Sequence, residues 1–247
     1  MSDGLTAQLD HVAVAVPDWE TAQRRWRDEL GGGIVAWGDN AVFASRQLQF
    51  ANGAKLELLR PTSTDPDNFV RRFLRRFGSV VHHVTFKVPD LGPALEVVRA
   101  GGLDVVDVDL GGDVWREGFL RPSQVGGLVV QVAWSGHTDQ EWAASIGHIP
   151  EPPAPRAAEL LGPTLRHPDL DRARALWTLL GATITEEAGA VCCRWPDSPL
   201  DIVIEQGGPA GPVALRMRGT HSLPAAEGIG PAVSGDRTDG SLGLSPR

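Results

Sequence analysis

Two stretches of this chain are near copies of one another at a fixed spacing, and each carries a histidine. Residues 10–18 read DHVAVAVPD and residues 82–90 read HHVTFKVPD, an offset of 72 residues. Each alternates apolar side chains with the period of a strand, and each ends in Pro-Asp before a helix-like stretch. A chain with such copies is assembled from modules, and equivalent positions of paired modules can face a shared cleft. His11 and His83 therefore read as two halves of one metal site.

The surrounding pattern gives each module the order βαβββ. The first opens with a strand over 9–17. Asp18 then stands at a helix N-cap, and residues 19–30 place Trp19, Ala22, Trp26 and Leu30 at helical spacing before Gly31, Gly32 and Gly33. Strands are predicted over 34–38, 42–50 and 54–60, with Asn52-Gly53 as a hairpin signal. A connecting helix is predicted over 64–77. Phe69, Val70, Phe73, Leu74 and Phe77 form its apolar face, and arginines form the other. The second module repeats the order: a strand over 81–89, a helix over 91–101 capped by Asp90, and strands over 103–109, 114–121 and 127–134.

Residues 149–156 (IPEPPAPR) predict an extended linker. A third copy follows, with LLGPTLRHPD at 160–169, a helix ending at Gly181, strands over 182–186, 190–195 and 200–205, and a further strand over 212–218. The expected fold is α+β. Paired modules (9–61 and 81–134) form a curved mixed sheet around a cleft, a metal-binding domain over 7–135. A linker over 136–157 leads to a third, degenerate module over 158–220. The tail from 221 to 247 is rich in Gly, Ser, Pro and Asp and is predicted to be disordered.

Composition narrows the function classes. A net charge of −8 argues against nucleic-acid or anionic-membrane binding, either of which needs a basic surface. Residues 1–8 hold no apolar signal core, and no run reaches the ~18 apolar residues of a membrane helix. A cytoplasmic protein is expected. The only cysteines, Cys192 and Cys193, are adjacent, which suits buried packing better than a disulfide framework. The chain has 21 arginines against two lysines, Lys55 and Lys87, and no tyrosine.

The repeat extends the histidines to four polar positions. His11 precedes Glu57 by 46 residues and His83 precedes Gln131 by 48. Glu57 lies between Leu56 and Leu58, and Gln131 between Val130 and Val132. Burying a carboxylate among apolar neighbours costs several kcal/mol unless it is paired or coordinated, although period-2 alternation also allows either residue to face solvent. The set His11, Glu57, His83 and Gln131 offers two imidazoles, a carboxylate and an amide oxygen. Such a mixed set suits a divalent Co, Ni, Mn, Fe or Zn ion.

The motifs LDHVAVAVPD (9–18), KLELLRP (55–61), VHHVTFKVPDL (81–91) and FLRPSQVGGLVVQV (119–132) resemble the vicinal oxygen chelate superfamily of glyoxalases, bleomycin-resistance proteins and dioxygenases. Within it they look most like methylmalonyl-CoA epimerase, over about residues 8–134. The resemblance implies metal ligands at His11, Glu57, His83 and the position of Gln131, with His82 turned to the opposite face. It also implies proton abstraction next to a carbonyl, as in an isomerase or a glyoxalase-like lyase, on a small carbonyl substrate such as an acyl-CoA. A homodimer is possible. Arg71, Arg72, Arg75 and Arg76 are candidates for acyl-CoA phosphates, with a solvated helix face as the plainer reading.

The chain departs from the family where the epimerases carry acids. Their second-module ligand is a glutamate, whereas Gln131 cannot act as a general base. Their further carboxylate on the third strand of module one falls in ASRQLQF (44–50), which has no acid. Glu117 in module two suggests a mirrored site with Glu57 and Glu117 as its catalytic acids. The same departure supports an alternative, a non-catalytic small-molecule binding protein of this fold. An extradiol dioxygenase and a glyoxalase I are further options. In the third module Gly162 takes the place of His11. Glu57 maps to Val203, or to Glu205 with a two-residue slip, and His167 matches Val16, so no metal site is expected there.

Overall fold

The computed structural model describes residues 4–219, 232–235 and 241–245. In the first module β1 (Gln8–Ala15) leads into α1 (Trp19–Gln23), which continues as a wider π-helical turn over Arg24–Glu29. β2 (Gly33–Asp39), β3 (Phe43–Gln49) and β4 (Lys55–Pro61) follow, then α2 (Phe69–Phe77). The second module is β5 (Val81–Lys87), α3 (Leu91–Ala100), β6 (Val105–Asp109), β7 (Trp115–Leu120) and β8 (Val129–Ser135). After α4 (Asp139–Ser145), the third contains β9 (Glu159–His167), α5 (Leu170–Leu179), β10 (Thr183–Glu187), β11 (Ala190–Arg194) and β12 (Asp201–Gln206). β13 (Gly211–Arg218), β14 (Ala232–Gly235) and β15 (Ser241–Ser245) complete the chain.

The three Pro-Asp motifs do the same local job. The Asp18 carboxylate accepts from the Thr21 amide, Asp90 from Gly92, and Asp169 from Arg172. Each satisfies an amide that the first helical turn leaves without a partner. The repeat is thus visible in sequence partly because each copy needs the same cap.

The strands form two sheets. The first has eight strands in the order β2-β3-β4-β1-β5-β8-β7-β6, and the second has seven in the order β10-β11-β12-β9-β13-β15-β14. The α+β class and the paired βαβββ modules are as the sequence implies. The chain also divides into two compact units, neither continuous in sequence: residues 1–11, 83–136 and 162–213 form one, and 12–82, 137–161 and 214–247 the other. The boundary falls inside β1 and β5, which belong to both.

In the first unit β5 presents two different faces. His83, Thr85 and Lys87 alternate with Val84 and Phe86, which are fully buried. Phe86 packs on Trp195 at 4.9 Å between ring centroids and on Trp177 at 6.4 Å, and the two tryptophans meet edge to face at 6.0 Å. The third module thus packs through these rings on the face of β5 opposite its polar residues. Such aromatic pairs contribute about 0.5–1.5 kcal/mol each beyond the area they bury.

In the second unit Leu56 and Leu58 are buried on the face of β4 opposite Glu57. The helix predicted over 64–77 begins later, at Phe69. Asn68 caps it by accepting from the amides of Val70 and Arg71, so the preceding TDPD stretch remains a turn. The region read as an extended linker contains α4. A capping box of Thr138 and Glu141 starts that helix, a Thr-x-x-Glu signal present in the sequence but overshadowed by the prolines after it. Most of the tail from 221 lies outside the described residues. Its two described pieces are the strands β14 and β15, which pair with each other, and β15 also pairs with β13 at Met217↔Leu242.

Candidate metal centre

β1 and β5 bring the two repeated histidines together. The rings of His11 and His83 are 6.0 Å apart in a T-shaped arrangement, and both side chains are buried. His11 has a partner at each ring nitrogen: Nδ1 lies 2.7 Å from Asp10 Oδ2, and Nε2 lies 2.9 Å from Thr85 Oγ1. The second Asp10 oxygen pairs with Lys87 Nζ at 3.2 Å.

Thr85 is fully buried and carries the network onward. Its hydroxyl donates to Gln131 Oε1 at 2.5 Å, a contact set by the parallel register Thr85↔Gln131 between β5 and β8. The Gln131 amide then donates to Glu117 Oε2 at 2.6 Å, and Trp115 Nε1 donates to the same oxygen at 2.7 Å. Polar contacts therefore run from Lys87 through Asp10, His11, Thr85, Gln131 and Glu117 to Trp115. The Thr85 hydroxyl has one proton and two acceptors within reach, so a ligand that takes His11 Nε2 leaves that proton to Gln131.

His11, Glu57 and His83 offer ligand atoms that all lie within 4.8 Å of one another. Metal bonds to such N and O donors are about 2.0–2.2 Å long, which puts neighbouring ligand atoms roughly 3–3.5 Å apart. Two imidazoles and a carboxylate are donors of the kind a divalent ion takes, so the group could hold one. Across β3 and β4, Glu57 stands opposite Gln47.

Residues 10–119 match the family model for the Glyoxalase/Bleomycin resistance protein/Dioxygenase superfamily. Over that stretch, just under half of the chain, the sequence is similar to a domain of that superfamily. Its curated relatives include the mitochondrial methylmalonyl-CoA epimerase of Bos taurus, 29% identical over 133 residues, covering 51% of this chain and 73% of the relative. The ethylmalonyl-CoA/methylmalonyl-CoA epimerase of Cereibacter sphaeroides is 26% identical over 133 residues, covering 52% of this chain and 98% of that one. Among solved structures, methylmalonyl-CoA epimerase from Mycobacterium tuberculosis superposes with a TM-score of 0.49 at 24% identity, covering 58% of this chain and 96% of that one.

The other sequence candidates fall elsewhere. His82, beside His83, packs between Phe69 and Phe73 of α2, at 5.7 and 4.6 Å between ring centroids. Burial pushes its pKa down to about 4, with the Glu57 charge pulling the other way. Arg71, Arg72 and Arg75 donate to the carbonyls of Ser63, Asp67 and Pro66, and Arg76 lies over the Phe77 ring. Three of the four arginines thus tie down the loop before α2. No helix among the described residues is long and apolar enough to cross a membrane.

In the third module there is a steric reason for the missing histidine. Counted from the Pro-Asp cap, Gly162 stands where His83 does, with φ of +122°, and a Cβ there would lie 2.0 Å from the Asp201 carbonyl oxygen. Thr164 pairs with Val203 as Thr85 pairs with Gln131. Val203, not Glu205, therefore occupies the equivalent strand position. Asp10, Thr85 and Trp115 were missed by the sequence reading. Asp10 had a signal, since it directly precedes a candidate ligand, but Thr85 and Trp115 acquire their partners only through strand register.

Proposed function

We propose that this chain is a metal-dependent isomerase of the epimerase type, removing a proton next to the carbonyl of a small substrate. An acyl-CoA is the substrate class to test first, because the named relatives are acyl-CoA epimerases. The observation that carries the reading is Glu117, a carboxylate tied through Gln131 and Thr85 to His11. In this reading Glu117 takes the base role that Gln131 cannot fill, and Glu57 is the second acid and a metal donor.

His11, Glu57 and His83 would hold the ion, with Gln131 as fourth donor through the Oε1 lone pair that the Thr85 hydroxyl does not occupy. A bound divalent ion supplies positive charge for the oxyanion that develops as the proton departs. Trp115 and Gln131 hold Glu117 through one oxygen, Oε2, which fixes the direction of the carboxylate. General-base catalysis from such a group contributes about 10²–10⁴-fold. A glyoxalase-like lyase would use the same residues.

The second reading is a binding protein of the same fold. It is favoured by Gln131, an amide where the resemblance implies an acid, and by the lack of any acid in ASRQLQF (44–50). One experiment separates the two: incubate the protein with methylmalonyl-CoA and Co²⁺ in D₂O and follow deuterium at the α-carbon by mass spectrometry. Isomerase chemistry gives exchange above the spontaneous rate that falls about 10²–10⁴-fold in Glu117→Gln. Ligand binding without exchange in the metal-loaded protein supports the binding protein.

A further inference from the structure

We propose that Asp10, itself held by Lys87, is a positioning residue that fixes the ring of His11 so that Nε2 faces the site as a metal donor. The inference deepens the metal-site reading and rests on it. A neutral imidazole has one N–H and one lone pair, and the partner of one nitrogen decides the role of the other. Asp10 Oδ2 stands 2.7 Å from Nδ1, and the Asp10 side chain is only 5% exposed. An ionised carboxylate only accepts, so it places the proton on Nδ1 and leaves the Nε2 lone pair outward, on the side of Thr85.

Lys87 makes this arrangement sustainable. A buried carboxylate beside a neutral ring needs charge compensation, and Lys87 Nζ provides it at 3.2 Å from Oδ1. The identity of this cation is informative in a chain where 21 of 23 basic residues are arginine. Both lysines sit in part-buried ion pairs, Lys55 with Asp139 at 2.9 Å and Lys87 with Asp10. A compact ammonium can meet one carboxylate oxygen inside the sheet, whereas a guanidinium must place a planar fork. Lys87 also shares its face of β5 with His83 and Thr85, so the same strand that contributes one histidine holds the orienting group of the other.

The test measures Co²⁺ affinity by calorimetry and the His11 tautomer by long-range ¹H–¹⁵N NMR of the metal-free protein. The wild type, Asp10→Asn and Lys87→Met are compared, and His11→Ala assigns the resonance. The expected results are an Nδ1–H tautomer in the wild type, its loss in Asp10→Asn, and Co²⁺ binding about 10–100-fold weaker in that variant. Lys87→Met, which leaves Asp10 in place, shifts both readouts in the same direction by less. An unchanged tautomer in Asp10→Asn, or Co²⁺ affinity within twofold of a metal-binding wild type, overturns the proposal. If the wild type binds no Co²⁺ but the tautomer still depends on Asp10, the metal reading fails while the positioning of His11 stands. Should Asp10→Asn fail to fold, an unchanged tautomer and affinity in Lys87→Met overturns the proposal by itself.

Discussion

Replacing His82 with phenylalanine should remove a defined part of the acid sensitivity of this protein. His82 lies against Phe69 and Phe73, where burial depresses its pKa from 6.5 to about 4. As pH falls, the unfolded chain takes up this proton before the folded one does. The stabilising contribution is therefore complete above pH 6.5 and is lost as pH drops towards 4. Fully expressed, the gap amounts to about 3 kcal/mol, of which about 2 kcal/mol is lost between pH 7 and pH 5. For a chain of this size that corresponds to roughly 4–8 °C in melting temperature. The assay is urea unfolding of wild type and His82→Phe at pH 5, 6 and 7 with EDTA present. Groups other than His82 cancel in the difference between the two proteins. Phenylalanine suits the aromatic surroundings and does not titrate, so the difference should shift by about 2 kcal/mol in favour of the variant at pH 5. Parallel pH dependences would refute the reasoning, because the histidine would then titrate alike in the folded and unfolded chains.

Gln131→Glu places a second carboxylate where the amide now donates to Glu117 at 2.6 Å. The single variant should lose about 1–3 kcal/mol at pH 7, and the exchange Glu117→Gln with Gln131→Glu should recover most of it, as a double-mutant cycle by denaturant titration would show. Trp177→Ala removes a fully buried ring from its packing on Phe86 and Trp195 and should cost about 3–5 kcal/mol by the same measurement. Cys192 and Cys193 are buried, and burial first, then the neighbouring Cys192 and Asp201, pushes the Cys193 thiol up to about 12. Iodoacetamide at pH 8 should label neither cysteine in the native protein and both after unfolding, as mass spectrometry would detect.

Much of the candidate site was legible because its signals are local or repeated. His11 and His83 stand out because two copies of one strand each end in an aspartate that must cap a helix. Glu57 and Gln131 follow from the same repeat. Glu117 was legible only as an acid on the equivalent strand. Its link to the site depends on β7, β8 and β5 lying side by side with Thr85 opposite Gln131. The short helix α4 shows the converse, since its capping box was present in the sequence while the proline-rich composition around it suggested extended chain.

By itself, then, the sequence determined the modular βαβββ order, the three helix starts capped by Asp18, Asp90 and Asp169, and the pair of histidines. These follow from side-chain period and capping, which act over a few residues. Tertiary structure alone decided which polar groups touch. Strand register joined His11 to Glu117 through Thr85 and Gln131, and it set Lys87 on Asp10. Packing decided the place of the third module, whose Trp177 and Trp195 close on Phe86 while the Asp201 carbonyl leaves no room for a side chain at residue 162. Contacts of that kind depend on residues tens of positions apart in the chain, and no local pattern encodes them.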